Sequence, residues 1–159
     1  EKPELCLPPG GIELLAQFGE RMGTPTMFWN AFELTEYTEG EPFTTAAGLT
    51  VTATKVPHYT ILTFAFRVTD GTTTLAYSGD SAPTDVLAEV ARDADLFVCE
   101  ATLVDGGADA TPRGHMSADE AVEAFTASGA KRLLVTHRPE ELDLPAGLER
   151  AQDGLELDL

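Results

Sequence analysis

Four residues whose side chains can bind metal ions or move protons stand near the ends of apolar runs or in a loop of this sequence. His58 and His137 each follow a run rich in aliphatic residues, and Asp80 follows another across a Ser-Gly turn. Imidazole and carboxylate groups are ligands that zinc, manganese and iron accept, and one carboxylate can bridge two ions. Two such ions about 3.5–4 Å apart can clamp the attacking and leaving oxygens of a hydrolysis. His115, in the loop DGGADATPRGHMS, could instead hydrogen-bond a phosphoryl oxygen or protonate a leaving group.

Each of these residues also has an ordinary structural interpretation. Asp80 is followed by Ser81 and Pro83, so it could cap a helix that starts there. His58 follows a proline and suits a loop, and His137 could be satisfied by backbone groups at its strand end. No HxH or HExxH pair anchors a metal site in this sequence. Residue types and spacing alone therefore leave metal binding and a structural role open.

The elements that must position these residues follow an α/β order. Strands followed by a β-α-β-α-β series predict a layered α/β protein whose sheet is partly antiparallel. Ligands collect outside the carboxyl ends of strands in such sheets, which is where the four residues stand. Periodicity, a hairpin signal at Asp70-Gly71 and a capping box at Ser117 predict helices over 12–22, after Pro83 and over 117–128, and strands over 27–37, 49–56, 61–68, 72–78, 95–101, 131–137, 147–150 and 155–159.

Composition narrows the class of partner. The chain has 159 residues with 27 acidic and 10 basic side chains, which gives a formal net charge of −17. A field of that sign repels nucleic-acid phosphates and anionic lipid, so nucleic acid and membrane are disfavoured as partners. Cys6 and Cys99 are too few for a disulfide framework, and Cys99 lies in an apolar run that predicts a buried free thiol. These features predict a cytoplasmic protein.

Five blocks of the sequence resemble the metallo-β-lactamase-fold hydrolases, in particular the phosphodiesterase branch that includes ribonuclease Z. They stand in the order of that family and are VPHYTILTFAFRV, LAYSGDS, DLFVCEATL, GHMSADEAVEAF and RLLVTH. The resemblance implies an αβ/βα metallo-β-lactamase sandwich, of which this chain is the C-terminal portion with a mixed β-sheet. It also implies a single domain over 1–159 that is incomplete at its N-terminus.

The resemblance implies a role for each of five residues. His58 and His137 resemble metal ligands, and Asp80 resembles the aspartate that bridges two divalent ions. Zinc is the favoured ion, with manganese or iron as alternatives. His115 resembles a catalytic histidine that faces the scissile phosphate, and Glu100 is the candidate catalytic partner that orients it.

The HxHxDH signature of the family, which supplies four ligands, is absent from this sequence. By the family pattern one ion keeps only His58 and Asp80, and the other keeps only Asp80 and His137. Because catalytic zinc sites use three protein ligands, occupancy in this chain is in doubt. The sequence also opens without methionine, so we expect a truncated or processed chain that forms a homo-oligomer or pairs with an N-terminal half chain.

The predicted function is hydrolysis of a small phosphodiester at a dinuclear metal site. The long tRNA-binding arm of ribonuclease Z has no room here, because FRV leads through TDGTT directly to LAYSGDS. One alternative is a hydrolase of the same fold that cleaves a lactone, thioester or β-lactam, since loops and not the fold set the substrate. The other is a non-catalytic subunit or scaffold.

Overall fold

The computed structural model describes residues 2–159, which divide into two compact units at the Ala53–Thr54 junction. In the first unit, β1 pairs in parallel with β2. The predicted helix over 12–22 is confirmed, with its apolar residues at spacings of three and four. The elements of this unit are β1 (Glu4–Leu7), α1 (Gly11–Arg21), α2 (Met27–Ala31), β2 (Glu33–Glu36) and β3 (Phe43–Thr44).

The strand predicted over 27–37 is only half correct. Its first part forms α2, and its second part forms β2. Thr26 favours the helical turn because its carbonyl accepts the backbone N–H of Asn30 at 2.9 Å and its hydroxyl accepts the Asn30 side chain at 3.1 Å. Aromatic residues suit strands and helices almost equally, so these local hydrogen bonds decide the conformation.

The second unit supplies the strand ends on which the predicted site depends. β4 begins in the first unit and continues into the second, where the remaining elements follow. The elements are β4 (Thr50–His58), β5 (Ile61–Thr69), β6 (Thr74–Tyr77), α3 (Asp85–Val90), β7 (Leu96–Glu100), α4 (Ala118–Ser128), β8 (Leu133–Thr136) and β9 (Glu149–Arg150).

The direction of the strands places four carboxyl ends at one edge of the sheet. Strands β4 to β9 lie side by side in chain order, and β3 pairs with the first two residues of β4. Only Tyr59 and Thr60 join β4 to its neighbour β5, so these two strands run antiparallel. β5 is antiparallel to β6, whereas β6, β7, β8 and β9 are mutually parallel. β4, β6, β7 and β8 therefore all end at the same edge.

The core of the second unit packs two helices onto this sheet. α3 contacts β5 and α4, and α4 contacts β7 and β8. Phe97, Leu87 and Met116 are among the largest side chains that are fully buried there. Cys99 is also fully buried and is a free thiol, as predicted, and burial raises the pKa of that thiol above its ordinary value.

Helix boundaries follow their caps. Ser117 and Glu120 form the predicted capping box at the start of α4, in which each side chain bonds the backbone of the other residue. The cap of α3 is Thr84, whose hydroxyl accepts the backbone N–H of Val86. Asp80 is therefore not the cap of this helix, which removes the structural interpretation considered for it.

The tail differs from its prediction. A strand near 147–150 is confirmed by β9, which pairs with β8. The strand predicted over 155–159 is wrong, because those residues have no strand pairing. Gly154 and the acidic side chains of this segment disfavour a further edge strand. In the part of the chain that the structure describes, no helix has the length and hydropathy needed to cross a membrane.

Candidate metal and catalytic site

The carboxyl edge of the sheet brings together all five residues singled out from the sequence. The rings of His58 and His115 have centroids 4.9 Å apart, and those of His115 and His137 are 5.2 Å apart. Asp80 reaches the same group, since its Oδ1 lies 3.2 Å from Nδ1 of His137. Glu100 lies beneath the group, with Oε1 2.9 Å from Nδ1 of His115.

His58 has one ring nitrogen engaged and one available. Its Nδ1 lies 2.9 Å from the carbonyl oxygen of Gly114, which can only accept a hydrogen bond. Nδ1 is therefore the protonated nitrogen, and Nε2 keeps its lone pair. Histidines that ligate metals commonly donate their second ring N–H to a backbone carbonyl in this way.

Glu100 is the buried anion of the site. Its side chain is 1% exposed, and its two oxygens accept four hydrogen bonds. Oε1 accepts the backbone N–H of Ser81 at 2.7 Å and faces Nδ1 of His115, and Oε2 accepts the backbone N–H groups of Thr102 and Met116 at 3.3 and 3.2 Å. The carboxylate fixes the ring of His115 with Nε2 directed away from it.

Asp80 and His137 form the accessible side of the site. Their side chains are 41% and 49% exposed. His137 has a left-handed backbone with φ of 51°, and its carbonyl accepts the hydroxyl of Thr102 at 2.9 Å. The same hydroxyl lies 3.0 Å from Nδ1 of His137, so Thr102 fixes both the backbone and the ring. Non-glycine residues in this conformation are uncommon and cluster at functional sites.

Asp80 depends on the glycine that precedes it. Gly79 has φ of 60°, and a Cβ atom placed on it would lie 2.5 Å from the carbonyl oxygen of Phe64. A side chain at this position is opposed both by the left-handed conformation and by a rigid backbone atom. The turn that directs Asp80 to the sheet edge therefore requires glycine.

We expect Gly79→Ala to lower the free energy of unfolding by about 2–4 kcal/mol, from the left-handed strain plus the clash. Urea denaturation measures this loss. Gly71→Ala is the matched control, because Gly71 also has positive φ but a Cβ there meets no atom within 4 Å. Its expected loss is about 1–2 kcal/mol, from backbone strain alone. Equal losses in the two variants would contradict the role assigned to the Phe64 contact.

The loop that carries His115 is held by Asp109, which the sequence analysis did not single out. Oδ2 of Asp109 accepts the backbone N–H groups of Gly114 and His115 at 2.7 and 2.9 Å. Oδ1 accepts the hydroxyl of Tyr59 at 2.8 Å. The N–H of Gly114 and these other donors hold the pKa of Asp109 well below its usual range, and the bond to Asp109 raises the pKa of Tyr59.

A close contact explains the glycine in this loop. A Cβ atom on Gly114 would lie 2.4 Å from the ring of Tyr59, so the ring packs directly on the loop backbone. In the sequence, Asp109 stands five positions before the Gly114-His115 pair. Many aspartates in turns have similar neighbours, so this spacing does not predict that Asp109 holds the loop. Tyr59 and Asp109 are therefore positioning residues that the structure adds to the site.

The donor set suits a divalent ion. One atom each of Glu100, His115 and His137 lies within 4.8 Å of the others. Because metal–ligand bonds are about 2.0–2.2 Å, atoms that share one ion are at most about 4.4 Å apart. The distances between these three atoms come close to that limit. Both oxygens of Glu100, however, already accept hydrogen bonds from protein groups. The Nε2 atoms of His58, His115 and His137 and the exposed carboxylate of Asp80 are the groups of the site that can still bind an ion.

The comparison with protein families decides the class of this fold. A family model described as "Beta-lactamase superfamily domain" matches residues 4–138. This chain belongs to the metallo-β-lactamase superfamily. The predicted fold, an α/β metallo-β-lactamase fold with a mixed sheet, is thereby confirmed.

Three proteins represent the relatives of this superfamily member. "Probable metallo-hydrolase YhfI" of Bacillus subtilis is 36% identical over 103 residues, which is 65% of this chain and 41% of YhfI. Its crystal structure superposes with a TM-score of 0.70 at 26% identity and covers 88% of this chain and 55% of that one. Ribonuclease Z of Halobacterium salinarum is 42% identical over 65 residues, 40% of this chain and 21% of that protein.

A structure of PqqB from Methylobacterium extorquens, described as Zn(2+)-bound, has a TM-score of 0.76 at 19% identity. It covers all of this chain and 66% of that one, and it shows the shared fold. YhfI and ribonuclease Z confirm the resemblance to the phosphodiesterase and ribonuclease Z branch. The chain spans less than half the length of these two curated relatives. The metal and catalytic roles of individual residues stay predictions.

Proposed function

We propose that the complete protein is a divalent-metal-dependent hydrolase that cleaves a small phosphodiester. The observation that carries the proposal is that three imidazoles and one exposed carboxylate lie together at a single sheet edge. The buried carboxylate of Glu100 hydrogen-bonds to one of these imidazoles, that of His115. This arrangement separates groups that are free to hold an ion from a group that is oriented for proton transfer or hydrogen bonding.

In this proposal His58, Asp80 and His137 hold the metal. His58 and His137 would each offer a ring nitrogen, and Asp80 has two oxygens, enough to serve two ions of a dinuclear site. Bound ions supply Lewis acidity and a template for the reacting phosphoryl group. Imidazole and carboxylate together favour zinc, with manganese and iron as the alternatives.

His115 is the proposed catalytic residue, and Glu100 is its positioning residue. Glu100 holds Nδ1 of His115 protonated, which leaves Nε2 to hydrogen-bond a phosphoryl oxygen or to exchange a proton with the leaving oxygen. Asp109 and Tyr59 hold the backbone of the loop, so the ring stays at the sheet edge.

The relatives support this class of reaction. The names of YhfI and ribonuclease Z describe a probable metallo-hydrolase and a ribonuclease. A small substrate is favoured here because β5 returns to β6 through only four residues, Asp70 to Thr73, and because the net charge of −17 opposes long polyanions. The family signature HxHxDH is not in this sequence, so in the proposed enzyme further ligands come from a preceding segment or from a partner chain.

The test is hydrolysis of bis(p-nitrophenyl) phosphate by the complete gene product with zinc or manganese supplied. We expect metal-dependent release of nitrophenol that EDTA abolishes and added metal restores. The same preparation is assayed on a lactone, a thioester and a β-lactam. Preference for one of those substrates would replace the phosphodiesterase proposal with another hydrolase of the same fold. Inactivity on the whole panel, with metal bound, would favour a non-catalytic subunit.

A further inference from the structure

A pocket with a volume of about 320 Å³ lies beside the predicted site, on the side of β8 and β9. Two members of the site, Thr102 and His137, form part of its wall. Arg138 and Arg150 also line it, and no carboxylate does. A second cavity, of about 550 Å³, shares the two arginines and continues toward Glu140 and Asp153.

Arg138 is held rigidly by neutral groups. Its Nη1 donates to the carbonyl oxygens of Ala101 and Leu103 at 2.8 and 3.0 Å, and its Nε and Nη2 donate to the carbonyl of Asp143 at 3.1 and 2.6 Å. These bonds fix the plane of the guanidinium without cancelling its charge. A preorganised guanidinium loses little further side-chain freedom when it binds an anion.

Arg150 has more donors to spare. Its Nη2 donates to the carbonyl of Leu142 at 2.6 Å, and this is its one side-chain hydrogen bond among residues 2–159. Within the same described residues, neither Arg150 nor Arg138 has a carboxylate oxygen within 4.0 Å. By contrast, Arg113 and Arg132 each form an ion pair with a glutamate, Glu120 and Glu149.

In the described part of the chain, Arg138 and Arg150 place two cations in one pocket without an ion pair to either. Among residues 2–159, four of the ten basic side chains form such a pair with a carboxylate. Burial lowers the pKa of Arg138 and the nearby charge of Arg150 lowers it further, while the more weakly acting charges of Asp143 and Asp119 raise it. Like charges at a partly desolvated site repel each other, and an anion bound between them relieves that repulsion.

We propose that this pocket binds a second anionic group of the substrate, a phosphomonoester carried at the far end of the molecule whose phosphodiester is cleaved. The inference rests on the proposed function, because it places the reacting group at the adjacent sheet edge. Arg138 keeps one N–H, on Nη2, for an anion, and Arg150 keeps most of its donors, so together they can bond several phosphate oxygens. About 300 Å³ is the lower limit of ordinary ligand pockets. The substrate class is then a small phosphodiester that carries a terminal phosphate.

Three matched substrates test this assignment. They are p-nitrophenyl alkyl phosphodiesters whose alkyl chain ends in a hydroxyl, a phosphate or a carboxylate. We expect the complete, metal-loaded protein to show a KM for the phosphate-ended substrate at least about tenfold below that for the hydroxyl-ended one, as charge-assisted bonds would give. Equal KM values for these two would overturn the inference while leaving the proposed function intact. A preference for the carboxylate-ended substrate would overturn the assignment to phosphate.

Arg150→Gln is the informative variant, because Arg150 has one structural hydrogen bond whereas Arg138 joins three backbone carbonyls. We expect Arg150→Gln to remove the advantage of the phosphate-ended substrate and to leave the hydroxyl-ended substrate unchanged. Arg92→Gln removes the same charge from an exposed residue that does not line the pocket, and we expect no change in either KM. An equal effect of both variants would indicate general electrostatics and overturn the site.

Binding without catalysis separates the two proposals further. In EDTA, inorganic phosphate is titrated against the metal-free protein by calorimetry, and we expect Arg150→Gln to weaken binding about tenfold or more. Unchanged affinity in that variant would overturn the pocket. If none of the three phosphodiesters is cleaved with metal bound, the proposed function fails and the inference falls with it, whatever the phosphate titration shows.

Discussion

Asp80→Asn is expected to abolish tight metal binding by the complete protein and to lower the proposed phosphodiesterase activity at least about 100-fold. Mutation of a residue that only hydrogen-bonds to a metal ligand lowers metal affinity or activity by about 10–100-fold. A bridging ligand, the role proposed for Asp80, contributes to the binding of both ions. Asparagine keeps the size of the side chain but replaces one oxygen with an amide that cannot ligate, and it removes the negative charge. The measurement is metal per chain by elemental analysis after exchange into chelator-free buffer, together with kcat.

Asp85→Asn is the control for this variant. Asp85 is an exposed aspartate in the first turn of α3, five residues after Asp80, and it has no contact with the predicted site. We expect it to retain both metal and activity. Full metal content in Asp80→Asn would show that the ion is held elsewhere, with Glu100, His115 and His137 as the next set to test.

Glu100→Gln is expected to cause the second large effect, a loss of about 2–4 kcal/mol in the free energy of unfolding. Each carboxylate oxygen accepts two hydrogen bonds, and a glutamine would turn an NH₂ group toward N–H donors. The side chain is too deeply buried for water to replace the lost partners. Urea denaturation measures the loss, and Glu123→Gln, exposed on α4, should change stability by less than about 0.5 kcal/mol.

A positioning role predicts more than instability. With the folded protein at a temperature below its transition, we expect Glu100→Gln to lower kcat by about 10–100-fold while KM changes little, because in the proposed function His115 acts on the reacting group and not on ground-state binding. A variant that is destabilised but has the parent kcat would leave Glu100 a purely structural residue. If His115→Ala also retained the parent kcat, both residues would be removed from the catalytic assignment.

The sequence was sufficient to predict that the candidate residues meet at one sheet edge, because strand direction converts sequence position into spatial position. His58, Asp80 and His137 are far apart along the chain, yet His58 ends β4, Asp80 follows β6 and His137 follows β8, and these strands end at the same edge. Apolar runs and the capping box at Ser117 were strong local signals, and the structure has the corresponding strands and α4. The pairing of Glu100 with His115 was a hypothesis from neighbouring motifs, and their 2.9 Å contact is present.

Features decided by non-local contacts were missed or wrong. β1 has four residues with little alternation, and it exists through its parallel pairing with β2. The residue types of the aromatic segment beginning at Met27 suit a helix or a strand, and the hydrogen bonds between Thr26 and Asn30 favour the helix. Asp109 acts through Tyr59 and Gly114, and nothing in the spacing of those residues shows that they meet. Local propensity carries no information on such contacts.

The two cysteines give this protein an internal reporter for each of its compact units. Cys6 lies in the first unit and is partly exposed, whereas Cys99 lies in the second and is fully buried in β7. A thiol reagent therefore modifies Cys6 in the native state but reaches Cys99 only when the central strands separate. The labelling rate of Cys99 measures the opening equilibrium of the sheet that carries the site. Slower labelling on addition of a divalent ion or phosphate would report binding to that sheet without any enzymatic assay.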